Sequence, residues 1–121
     1  MHGHRLTFLI IEAEPGQGLS TRKLLLETAK HNVITAYSAH EGASMFKRFP
    51  NVDVVCIDTE LHDLGKADLV EKIRKHNSKI KILALTPRIG GYFEWADEVI
   101  NSHDPAALLK CLERIGGRTD I

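Results

Sequence analysis

Long apolar runs are missing from this 121-residue chain. None approaches the ~18 residues needed to cross a bilayer, and the longest are stretches such as Phe8 to Ile11 and Val54 to Ile57. No membrane span is therefore expected. An excess of either charge is missing too: Lys plus Arg and Asp plus Glu both total 16, for a formal net charge of +0. Phosphate-backbone binding draws on a basic excess, so nucleic acid is not an expected partner. Cysteine is sparse. Cys56 and Cys111 form no CxxC pair and no disulfide framework, and each lies in an apolar stretch that suits a small buried hydrophobe. Met1-His2-Gly3-His4-Arg5 leads straight into an apolar run without a cleavage-site pattern, which reads as a strand entry in a cytosolic protein. Among seven histidines none stands in an HxxxH or HExxH arrangement. They fall mostly at turns and helix ends, leaving only His62 and His103 in loops that can line a site.

What the chain does contain is one alternating pattern. Short apolar runs at Thr7 to Ile11, Val33 to Tyr37, Val52 to Ile57, Ile80 to Leu85 and Glu98 to Ile100 are separated by longer amphipathic segments. Four runs are rich in Val, Ile or Leu, as in strands buried on both faces of a parallel sheet; the second is thinner and suits an edge. The segments between them carry helix punctuation. Ser38 and Glu41 have capping-box spacing, and Gly42, Met45, Phe46 and Phe49 follow as one stripe, stopped by Pro50. Leu69, Val70 and Ile73 mark a further helix. Asp104-Pro105 is an N-cap with proline at the first helical position, and Gly116-Gly117 end the helix that follows. The length suits one domain, with a core of about 7–115 and a flexible tail over 116–121. The expected fold is a three-layer α/β/α sandwich around a five-stranded parallel sheet, whose chemistry belongs at the carboxyl ends of the strands.

At those ends stand Glu12, Ala13 and Glu14 after the first strand, Asp58 after the third, Thr86 after the fourth and Asn101 after the fifth. In these residues, and along the chain from about Thr7 to Ile115, the sequence resembles the receiver domains of two-component response regulators, the CheY-like branch of the flavodoxin-like fold. The resemblance implies that Asp58 is the phospho-acceptor, that Thr86 bonds the phosphoryl oxygens, and that Glu12 with Asp58 holds Mg²⁺. A hard cation neutralises the oxygens while the carboxylate attacks phosphorus in line.

The chain departs from the family pattern in several places. Ala13 stands where a second acidic metal ligand is usual, Asn101 where a lysine is usual, and Glu98 where an aromatic switch residue often stands. Only a weak Mg²⁺ site is therefore expected, although Glu14 offers a partial substitute for the lost ligand. An amide at Asn101 can donate to Asp58 in place of the lysine. The stretch from Thr86 to Asn101 is too short for the usual fourth helix and reads as a loop or single turn bearing Tyr92, Phe93 and Trp95, a candidate partner surface. The segment from Pro15 to Thr21 reads as a glycine-containing turn into the first helix, lacking the lysine of a phosphate-binding loop. Together these features imply an atypical receiver, not an enzyme, that signals through a protein partner such as a histidine kinase or an output domain, with homodimerisation open. A working phospho-accepting receiver, a flavodoxin-like domain binding phosphate or a nucleotide, and an inert scaffold domain are the alternatives.

Overall fold

The computed structural model describes residues 4–13, 21–61, 63, 65–88 and 90–117. The expectations placed on His2, Glu14, the segment 15–20, His62 and the tail beyond Gly117 fall outside the described residues. Each apolar run becomes a strand: β1 (Thr7–Ile11), β2 (Asn32–Ala36), β3 (Val54–Asp58), β4 (Lys81–Thr86) and β5 (Glu98–Asn101). All pair in parallel, in the order β2-β1-β3-β4-β5. The thinner run at β2 is an edge, and Val33 to Thr35 there are only half-buried.

Four helices complete the layers: α1 (Thr21–Thr28), α2 (Ala39–Arg48), α3 (Lys66–His76) and α4 (Pro105–Arg114). Alternation along the strands sends successive side chains to opposite faces. Leu9, Ile11, Val55, Ile57 and Ile82 meet α2 and α3 through Phe46, Leu69, Val70 and Ile73. Phe8, Ile10, Val54, Cys56, Leu83 and Leu85 meet α1 and α4 through Leu26, Leu108, Cys111 and Leu112. Burial on both faces is why the central strands read as unbroken Val, Ile and Leu.

The helix ends follow their punctuation, with two adjustments. Ser38 Oγ accepts the Glu41 N–H at 3.0 Å, but the Glu41 carboxylate reaches back one residue further than a capping box, accepting the Tyr37 N–H at 3.3 Å. Asp104 Oδ1 accepts the Ala106 N–H at 3.0 Å, with Pro105 at the first helical position. At the end of α4, Gly116 takes φ +79°. The N–H groups of Gly116 and Gly117 then return to the carbonyls of Glu113 and Leu112, closing a Schellman motif. The expected tail from 116 is corrected here: Gly117 is buried and bridges to His4, so the glycine pair belongs to the fold.

Between β4 and β5 the described residues of 87–97 form no helix, only bends and turns, at Gly90 and at Glu94-Trp95 among them. The shortened fourth helix is thus reduced to the single-turn limit. Trp95 packs on the α2/α3 side of the sheet. Arg74 of α3 anchors the segment, donating to the Trp95 carbonyl at 2.9 Å and to Asp97 Oδ1 at 3.3 Å. Asp97 Oδ2 in turn accepts the Ile82 N–H of β4 at 2.7 Å. Of the aromatic trio, Trp95 therefore covers the core, whereas Tyr92 is 84% exposed.

At Gly42 the helix α2 crosses β1 at close range. A Cβ at Gly42 would stand 2.5 Å from Ile11 Cδ1 and 3.0 Å from its Cγ1. Ile11 is fully buried and β-branched, so it has little freedom to move aside. On helix propensity alone Gly42→Ala gains about 1 kcal/mol; overpacking costs about 1–3 kcal/mol. Urea denaturation of Gly42→Ala is expected to show a net loss, and a gain would contradict the close approach.

Candidate functional site

The parallel register carries four of the sequence-selected residues to neighbouring strand ends. Ile11 pairs with Ile57, so one step further Glu12 stands beside Asp58. Asp58 pairs with Leu85, and Thr86 with Asn101. Strand alternation puts Glu12 and Asp58 on the α1/α4 face, and Thr86 and Asn101 on the α2/α3 face. Among the described residues no hydrogen bond joins any two of these four side chains.

Three of them are instead tied to their own loops. Asp58 is half-buried at the end of β3, and its Oδ1 accepts the Glu60 N–H at 2.8 Å. Thr86 is fully buried, and its hydroxyl accepts the Arg88 N–H at 3.2 Å. Asn101 Oδ1 accepts the His103 N–H at 2.9 Å, so the amide organises the turn after β5 and makes no bond to Asp58. These are Asx- and ST-type turns, in which a short polar side chain satisfies backbone two residues on. His103 is exposed in that turn.

Glu12 is different. It is 1% exposed, and its Oε1 accepts a hydrogen bond from Arg22 Nε of α1 at 2.8 Å and forms an ion pair with Arg22 Nη2 at 2.7 Å. Arg22 Nη1 donates to the Ser102 carbonyl, beyond β5, at 3.2 Å. Glu12 Oε2 is buried and has no partner among the described residues. Through Arg22 the end of β1 is thus linked to the turn after β5, although β3 and β4 lie between these strands in the sheet. Two further observations agree. Arg22 lines a cavity of about 30 Å³ with Leu85, Ile100, Asn101 and Ser102. At Cys56 on β3, burial pushes the thiol pKa up, and the Arg22 charge acts in the opposite sense.

The sequence reading did not select Arg22. The available signal was a deficit: an acidic residue at the end of a buried strand needs a counter-charge, and Arg22 and Lys23 are cations at the start of the next helix. Asp63 was also missed. Its two carboxylate oxygens accept the Ala39 and His40 N–H groups, each at 3.0 Å. The bond from Ala39, then that from His40, holds the Asp63 pKa below its usual value. Through Asp63 the loop after Asp58 is pinned to the N-terminus of α2. Lys66 Nζ fixes the same loop by donating to the Leu61 carbonyl at 3.0 Å. Glu98, at the switch-residue position, faces α4, where it accepts hydrogen bonds from Arg114 and from the Cys111 thiol.

Known structures place this arrangement. The chain superposes on a response regulator receiver domain protein from Clostridium thermocellum with TM-score 0.66 and 26% identity, covering 91% of this chain and 96% of that one. It superposes on a CheY-like receiver domain from Methylobacillus flagellatus with TM-score 0.77 and 22% identity, covering 93% and 99%. A response regulator from Thermotoga maritima, solved with Mg²⁺ and BeF, matches with TM-score 0.70 and 24% identity over 91% and 98%. The fold is that of a response-regulator receiver domain. No family model and no curated protein matches the sequence.

Against the receiver pattern, the residues present do not fit a Mg²⁺ site. Mg²⁺ asks for oxygen donors in near-octahedral array. Ala13 offers none, and Glu12 is already paired with the Arg22 guanidinium, so Asp58 has no second uncompensated carboxylate beside it. Among the described residues no group of three or more His, Cys, Asp or Glu is placed to hold a metal ion.

The Glu12–Arg22 pair is asymmetric in a way that a mutant series reads directly. Arg22→Ala leaves a buried carboxylate without its counter-charge, a change that costs about 3–5 kcal/mol. Glu12→Gln leaves a guanidinium that is already 27% exposed and can hydrate, so its cost is expected to be at most about half as large. Equal losses in urea denaturation would contradict the assignment of Glu12 as the buried member.

Proposed function

We propose that this chain is an atypical receiver domain that transmits a signal through protein–protein contact, with a conformation that does not depend on Mg²⁺-supported phosphorylation of Asp58. The observation that carries this reading is the makeup of the strand ends, where neither a second metal-ligating acid nor a lysine stands at the positions usual in receivers. Ala13 supplies no metal ligand, and Asn101, where a lysine is usual, is folded onto its own turn. A carboxylate at Asp58 can present an oxygen to phosphorus, but the Arg22 guanidinium is already committed to Glu12 and the Ser102 carbonyl, which leaves the incoming phosphoryl group without a dedicated counter-charge.

The partner in this reading is a protein, a histidine kinase or an output domain, met in the cytosol. No described helix is long and apolar enough to cross a membrane. The loop between β4 and β5 offers Tyr92 for such a contact, since exposed aromatics are enriched at binding hot spots. One observation favours a conventional phospho-accepting receiver as the second reading: Asp58 Oδ2 has no hydrogen-bond partner among the described residues and is available as a nucleophile.

Intact-mass spectrometry after incubation with acetyl phosphate and Mg²⁺ separates the two. The unmodified mass is expected for the wild type. A phosphoryl adduct present in the wild type and absent from Asp58→Asn would replace this reading with the conventional one.

A further inference from the structure

We infer that Arg22 is the resident cation of this site: its guanidinium, held by Glu12 and the Ser102 carbonyl, stands where a metal ion would bind and keeps the metal out. The inference rests on the reading above and adds its cause. Loss of a single ligand at Ala13 weakens a metal site; a fixed positive charge already bonded to the remaining acidic residue excludes a second cation outright.

Three features support it. The guanidinium donates from Nε to one oxygen of Glu12, pairs with the same oxygen through Nη2 and donates from Nη1 to Ser102, so its position is fixed from two sides. Such planar, forked bonding is what arginine offers and a hydrated ammonium does not. The carboxylate it meets is buried, so the pair is little screened by solvent or salt. Finally, the pair stands at the end of β1, next to the end of β3 that carries Asp58, and strand alternation puts Glu12 and Asp58 on one face. The unpartnered Glu12 Oε2 shows that the carboxylate retains capacity for a further ligand. By this account, the ligand deficit at Ala13 and the occupancy by Arg22 must both be reversed before a metal enters.

The test compares Ala13→Asp with the double variant Ala13→Asp/Arg22→Gln; glutamine keeps a donor for Glu12 without the charge. Melting temperature is followed by circular dichroism with and without about 10 mM MgCl₂. Ala13→Asp alone is expected to shift by less than about 1 °C, whereas the double variant rises by roughly 3 °C or more. Adding Asp58→Asn should abolish that rise. If the double variant is unfolded without metal, Mg²⁺-induced recovery of the far-ultraviolet signal gives the same comparison. A full Mg²⁺ response in Ala13→Asp with Arg22 intact would overturn the inference, as would a double variant that fails to respond. These results are distinguishable from the failure of the proposed function, which is read as a phosphoryl adduct on the wild type.

Discussion

A carboxylate buried at the tip of a parallel sheet needs a positive partner, and the way Glu12 obtains one organises this molecule's functional end. The guanidinium of Arg22 comes from α1, on the far side of the connection that follows β1, and it also reaches the carbonyl of Ser102 beyond β5. One ion pair therefore ties the end of β1, the first helix and the final β–α connection together. Breaking one member of a buried pair costs several kcal/mol, a large fraction of the stability of a domain this size. The same pair puts a guanidinium charge at the end of β1 before any ligand arrives.

The layers beneath set the stage for that pair. The order β2-β1-β3-β4-β5 brings Glu12 and Asp58 side by side and leaves β5 at an edge. Across β4 and β5 the usual covering helix is absent from the described residues, and Trp95 with the Arg74–Asp97 contact covers the core instead. Asp63 ties the loop after Asp58 to α2. The loops after β3 and β5 and the segment after β4 are thus each held by side chains of the chain itself.

Much of this was legible in the sequence because it rests on local chemistry. Two-face burial writes Val, Ile and Leu runs into β1, β3 and β4, and the caps Ser38, Asp104 and Gly116-Gly117 announce their helices. The positions of Glu12, Asp58, Thr86 and Asn101 at the strand ends followed from the same pattern. What the pattern did not reveal were the partners. Arg22 reads as one more helix-start cation, because only the tertiary fold brings it over to Ser102, 80 residues away in sequence. Asp63 reads as a loop residue, because its helix precedes it in the chain. Asn101 invited a bond to Asp58, but a two-residue turn to the His103 N–H is closer and costs less chain ordering. Gly117 reads as tail, because its partner His4 lies at the other end of the chain.

The most direct test of a self-neutralised site is residue-resolved. In ¹H–¹⁵N spectra of the wild-type protein, addition of about 10 mM Mg²⁺ and then beryllofluoride should leave the amides of Glu12, Arg22, Asp58, Thr86 and Asn101 unshifted, with the Arg22 Nε–H signal retained. Saturable shifts at these residues, with loss of that Nε–H signal, would show an exogenous cation displacing the guanidinium and would contradict the account.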